Sequence, residues 1–140
     1  MTSQEKKEIL LQYRVAEREE KRLEAEIQRW RSRAEQMTVG YGPTPSGGGD
    51  GRSLEHTVAH IDDLTRQLAQ RLDRLVTLRQ EIGTAIDGVP DPKQRELLRL
   101  RYIKGLTWEK LATAMGYHDF RWIYRLHGRA LESLTLESQR

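Results

Sequence analysis

Residues 107–134 read TWEKLATAMGYHDFRWIYRLHGRALESL. Thr107 is an N-cap residue, followed by eight residues with helical apolar spacing, and Gly116 closes them. Tyr117 and His118 separate this piece from a second one that opens on Asp119 and carries helical spacing to about Leu136. A short helix, a tight glycine-containing turn and a second helix is the layout of a helix-turn-helix. The apolar positions fit that packing. Leu111 and Met115 lie four apart and face a core. Ala112 is small where the second helix crosses. Ile123, Leu126, Ala130, Leu131 and Leu134 give the second helix one apolar side.

At about 100° per residue, Arg121, Arg125, Gly128 and Glu132 project from the opposite side, flanked by Trp122 and Arg129. A guanidinium can bond guanine O6 and N7 bidentately, which an ammonium cannot copy. An ordinary solvated face is the plain alternative for three arginines on a helix. The turn that precedes them favours contact with DNA, because the motif presents the start of its second helix to the major groove. The expected DNA-binding residues are Arg121, Trp122, Arg125 and Arg129, with His118 in the turn and Lys110 on the preceding helix. Phe120 and Trp122 are expected to anchor the last helix to the hairpin, the alternative being that they stack on a sugar or thymine methyl.

Upstream, Gly88-Val89-Pro90 ends one helix and Asp91-Pro92 starts another, with proline at a position whose N–H has no helical partner. This third helix, 92–104, carries Leu97, Leu98, Leu100, Tyr102 and Ile103, and Gly105 closes it. Residues 54–87 form a long helix with Ser53 as expected N-cap. Its seam is Leu54, Val58, Ile61, Leu64, Leu68, Leu72, Leu75, Leu78, Ile82 and Ile86. Residues 2–37 form another, with Thr2 and Glu5 at capping-box spacing. Its seam is Ile9, Tyr13, Ala16, Leu23, Ile27, Trp30, Ala34 and Met37, interrupted by Glu20. Between them, residues 38–53 read TVGYGPTPSGGGDGRS, with six glycines and two prolines. That composition predicts a flexible connector. It does not fit a phosphate loop: Arg52 stands where the motif needs lysine, and no strand precedes it.

Two long helices of similar length, each with an apolar stripe, pair most simply as an antiparallel hairpin; pairing between chains is the alternative. The expected fold is therefore all-α: a long, coiled-coil-like antiparallel hairpin followed by a C-terminal helix-turn-helix domain of three helices. The expected divisions are 1–37, 38–53, 54–89 and 90–140.

Composition agrees. Of the 140 residues 36% are hydrophobic and 32% charged, which suits long helices with narrow apolar stripes. Residues 91–140 hold 10 Lys/Arg against 6 Asp/Glu, while the preceding residues are near neutral, as a phosphate-binding end would be. There is no cysteine, so thiolate metal sites and disulfides are excluded. No apolar run approaches a membrane span and the N-terminus has no secretory pattern, so a cytoplasmic location without membrane partners is expected. His56, His60 and Asp63 have spacing that can hold zinc but lack a further ligand, so no metal is expected. His127 beside the apolar side of the last helix reads as a hydrogen-bonded, partly buried structural residue. No nucleophile or paired carboxylates accompany it, so neither an enzyme nor a cofactor is expected.

The stretch LLRLRYIKGLTWEKLATAMGY, completed by YRLHGRAL, resembles the fourth, promoter-reading region of bacterial sigma factors. From about residue 20 to 135, and most densely over 95–131, the chain resembles small phage and prophage proteins that include ArpU-type and RinA-type late transcription regulators. The turn departs from that pattern, being one residue longer before Ile123, which leaves open which of Phe120, Arg121 and Trp122 faces DNA. The resemblance implies an all-helical fold, double-stranded DNA as partner and control of phage or mobile-element genes. It leaves open RNA polymerase as a second partner and a homo-oligomeric state. Two other readings share these features: a small-terminase-like DNA-packaging subunit, and an adaptor that docks on RNA polymerase without reading DNA.

Overall fold

The computed structural model describes residues 1–39 and 50–137. The elements are α1 (Ser3–Val39), α2 (Asp50–Asp87), α3 (Pro92–Leu98), which continues as a π-helical turn over Arg99–Ile103, α4 (Trp108–Met115) and α5 (Phe120–Ser133). The described residues contain no strand, the two long helices pack against each other, and the fold is all-α. None of these helices is long and apolar enough to cross a membrane.

Local chemistry explains most helix ends. The backbone N–H of Glu5 donates to Thr2 Oγ1 at 3.2 Å, and the Thr2 amide donates to Glu5 Oε2 at 3.4 Å, which is the reciprocal capping box. Asp91 accepts from the Lys93 amide at 3.2 Å, with Pro92 at the first helical position. Ser53 is not the cap of α2. The helix begins at Asp50, and the Ser53 carbonyl accepts from Thr57 Oγ1 at 2.8 Å inside it. Thr38 and Val39 likewise belong to α1. The rest of the expected connector, 40–49, lies outside the described residues.

The chain divides into two compact units. In the unit of residues 17–74, α1 and α2 run antiparallel: Glu19 bonds Arg71 at 3.1 Å, Trp30 packs edge-on against His60, and Met37 lies beside Thr57, so one number falls as the other rises. Leu23, Ile27 and Leu64 form its small core, with Trp30 and Leu68 against them. Two positions differ from the expected seam of α2. Thr57 is buried where Val58 was expected, and Val58 is 46% exposed. Leu64 and Leu68 of the expected seam are covered as expected. Glu20, the polar interruption in α1, is buried and hydrogen-bonded to Glu24.

The second unit comprises residues 1–16 and 75–137. Here Leu10 of α1, Ile82 and Ile86 of α2, Leu97 and Leu98 of α3, Leu111 of α4 and Ile123 of α5 are fully buried in one core. Leu10 rather than Ile9 is the more buried of the pair. The third helix ends in a wider turn, with the Lys104 amide donating to the Arg99 carbonyl, five residues back, at 3.0 Å. Gly105 follows at φ +76°, and the space its side chain would need holds the guanidinium of Arg14. That guanidinium donates to the Ile103 carbonyl at 3.4 Å. α5 stops at Ser133, short of Leu136, and Lys6 Nζ donates to the carbonyls of Leu131 at 2.8 Å and Glu132 at 3.3 Å. A cation on the last carbonyls stabilises that end.

Candidate nucleic-acid interface

The helix-turn-helix is built from local signals. Thr107 Oγ1 accepts from the Lys110 amide at 3.3 Å and starts α4. At its other end the Gly116 amide donates to the Thr113 carbonyl at 3.2 Å and the Tyr117 amide to that of Ala112 at 2.8 Å. This pair of bonds is the Schellman arrangement, and Gly116 adopts the left-handed φ of +76° that it requires. Asp119 then caps α5 through its Oδ1, accepting from the Arg121 amide at 2.9 Å. Ala112 is buried at the crossing, and Ile123, Ala130, Leu131 and Leu134 are buried beneath α5.

The opposite side of α5 is open. Arg121, Trp122, Arg125 and Arg129 are all exposed, as are His118 in the turn and Lys110 on α4. Their settings differ. Arg121 extends its guanidinium into solvent, 83% exposed, yet Nε and Nη2 both lie 3.1 Å from Asp119 Oδ2. The Asp119 carboxyl is held below its ordinary pKa, first by the Arg121 amide and then by the Arg121 side chain. One carboxylate thus caps the helix and pairs with one of its arginines. Arg125 lies over the indole of Trp122 at 5.3 Å from the ring centre, an arrangement that presents a flat cation beside a flat apolar surface.

Trp122 is 58% exposed and Phe120 42%, so neither anchors α5 to the core, which corrects that expectation. Trp122 falls outside the apolar arc centred on Ile123, which supplies the contacts that hold α5, and Phe120, on the edge of that arc, is the first residue of the helix. Phe120 instead stacks on Tyr124 at 6.2 Å, and Tyr124 meets Trp108 edge-on at 5.0 Å. Arg101 covers the other ring of this group, 4.4 Å from the Trp108 centre. Tyr124, 51% exposed, and Arg101 were not among the expected site residues. The four-residue step from Phe120 to Tyr124 is the signal that could have found the first. No local signal marks Arg101, which reaches the site from the π-helical turn. A Cβ at Gly128 would meet nothing within 4 Å, so no contact inside this chain demands a glycine there.

His127 is buried under α5, with Nε2 2.6 Å from Tyr102 Oη and Trp108 edge-on to its ring. Burial, then the charges of Lys7 and Arg101, push its pKa down to about 4. Burial likewise pushes Tyr102 up to about 12, so both groups are neutral near pH 7 and share one hydrogen bond in the core. His60 packs on Trp30, and among the described residues no group of three or more potential ligands converges on a metal position. No protein-family model, curated protein or solved structure matches this chain.

Proposed function

We propose that the protein is a DNA-binding transcription regulator of phage or prophage type that reads duplex DNA with α5. The observation that carries this reading is the open face of α5. It follows a capped, glycine-closed turn and presents Arg121, Arg125 and Arg129 to solvent on the side opposite the buried row. Helix-turn-helix docking puts such a face in the major groove. Arg125, oriented over Trp122, is the principal candidate for a base contact. Arg121 must exchange Asp119 for a phosphate or a base edge. Lys110 and His118 flank this surface with groups suited to phosphate. The phage assignment rests on the resemblance to sigma region four and to the ArpU-type and RinA-type regulators.

The adaptor reading has one observation in its favour. Phe120, Trp122 and Tyr124 expose aromatic surface on the same helix as the arginines, and aromatic residues with arginine also make protein–protein hot spots. RNA polymerase is the partner the resemblance implies for it.

A salt series separates the two. Duplexes selected from a random pool are titrated with wild type, Arg121→Ala, Arg125→Ala and Arg129→Ala. Loss of a base contact costs about 1–3 kcal/mol and relaxes preference at one position. Loss of a phosphate contact weakens all sequences alike and reduces the salt slope by about one. If all three variants bind as wild type does at every salt concentration, α5 is not the reading helix. If wild type selects nothing and binds no duplex, the adaptor reading takes its place.

A further inference from the structure

The exposed aromatics of α5 have different partners. Phe120 stacks on Tyr124, and Tyr124 meets Trp108, so both are engaged by rings of this chain. Trp122 has no ring partner among the described residues. The group over its indole is the Arg125 guanidinium, three residues on and 5.3 Å from the ring centre. Both side chains are exposed, and both stand away from the buried row of Ile123, Ala130 and Leu134. At about 100° per residue they lie roughly 60° apart around the helix. A flat cation and a flat apolar surface therefore face outward side by side. Neither offers a hydrogen-bond acceptor: a guanidinium and an indole N–H only donate.

We infer that this pair recognises one step of duplex DNA, a guanine beside a thymine, with Arg125 on the guanine and Trp122 on the thymine methyl. This rests on α5 being the helix that enters the major groove, and it names the bases met there. Adenine and cytosine present amino donors in that groove, and the pair has no acceptor for them. Guanine presents O6 and N7, which match a bidentate guanidinium. Thymine presents an O4 acceptor and the C5-methyl, an apolar group suited to an indole face. Successive bases of a strand lie about 3.4 Å apart. The 5.3 Å between guanidinium and indole is between one and two such steps, so the two groups reach neighbouring bases. The indole also restricts the guanidinium before DNA arrives, which lowers the ordering cost of the contact. Arg121, bonded to Asp119, has to give up that bond first.

Base analogues in duplexes that the full chain selects from a random pool test this by fluorescence anisotropy. The selected duplexes are expected to share a guanine with a thymine beside it. Deoxyuridine in place of that thymine removes only the methyl. It is expected to weaken wild-type binding about fourfold, equivalent to ~0.8 kcal/mol for one buried carbon. The 7-deaza analogue of the guanine loses only its N7 acceptor and is expected to weaken binding about fivefold or more. Trp122→Ala, with helicity retained by circular dichroism because the position is exposed, is expected to bind the thymine and deoxyuridine duplexes alike while keeping the 7-deaza loss. Arg125→Ala is expected to lose the 7-deaza effect. A wild type that binds the thymine and deoxyuridine duplexes equally overturns the proposed step. So does a Trp122→Ala protein that still tells them apart, or a selected pool with no thymine beside the guanine. In those cases a loss of affinity in Arg125→Ala leaves α5 standing as the reading helix. A wild type that binds no duplex overturns both.

Discussion

Replacing His127 with glutamine should flatten the acid limb of stability in the unit of residues 1–16 and 75–137. The imidazole is buried against Tyr102 and Trp108, and its pKa falls from 6.5 to about 4 through burial and the nearby charges of Lys7 and Arg101. Unfolding returns it to water. Between those two values the unfolded chain holds a proton that the folded chain does not, so acid favours unfolding. The contribution is complete above about pH 6.5 and is lost as pH falls through that window to about 4. A tenfold change in proton affinity is worth about 1.4 kcal/mol, so the full loss is about 3 kcal/mol, of which about 2 kcal/mol falls between pH 7 and pH 5. Glutamine keeps an acceptor for the Tyr102 hydroxyl and carries no titrating group. It also removes part of the ring contact with Trp108, so it should be less stable than wild type at neutral pH.

The assay is urea unfolding at pH 7 and pH 5, read through the fluorescence of Trp108 in a Trp30→Phe, Trp122→Phe background. The difference between the two pH values should be about 2 kcal/mol larger for His127 than for glutamine at that position. Equal pH dependence in the two proteins would refute the assignment of a neutral buried imidazole. A variant that gains stability at both pH values would instead mean that the Tyr102 bond contributes nothing.

Glu20 should act with the opposite sign in the other unit: its hydrogen bond to Glu24 and its burial raise its pKa to about 7, so stability there falls as pH rises from 4.5 towards 7, and Glu20→Leu should remove that fall as followed by Trp30. Gly105→Ala combines a positive φ with a collision at the Arg14 guanidinium and should cost more in urea unfolding than Gly116→Ala. The latter meets no neighbour and should cost only the ~1–2 kcal/mol of a left-handed backbone. Asp119→Asn keeps a capping oxygen while removing the charge that holds Arg121, so it should tighten duplex binding at low salt without loss of helicity; unchanged affinity would mean that Arg121 does not reach the DNA.

The helix starts and stops were legible because their causes lie within four residues of one another. Thr2 with Glu5, Asp91 with Pro92, Thr107, Gly116 and Asp119 all act as read. The choice between Thr57 and Val58 was not legible. Either position can turn towards α1, and the outcome depends on how side chains of the two helices interlock, which periodicity in one helix does not encode. The apolar alphabet also misleads there, since Thr57 enters the interior with its hydroxyl bonded to the Ser53 carbonyl and so carries no unsatisfied polar cost. Leu10 was missed for a related reason: it lies off the repeat of α1 and is buried in the core it shares with α3, α4 and α5 rather than by a continuous seam.

The open side of α5 shows how a correct local reading can still misjudge a site. Helical spacing put Arg121 and Arg125 on one face, and both are there. Spacing treats them as equivalent, whereas their neighbours do not. Asp119 begins the helix because its carboxylate satisfies an amide that would otherwise lack a partner. The same carboxylate, two residues away, is close enough to hold the Arg121 guanidinium. Arg125 has an indole beneath it and no carboxylate bonded to it among the described ion pairs. The two arginines of this face therefore differ in setting, Arg121 paired with a carboxylate and Arg125 laid over an indole. Ranking the two requires the cap and the face to be considered together, because the residue that makes α5 a helix also sets how much of its positive charge is offered.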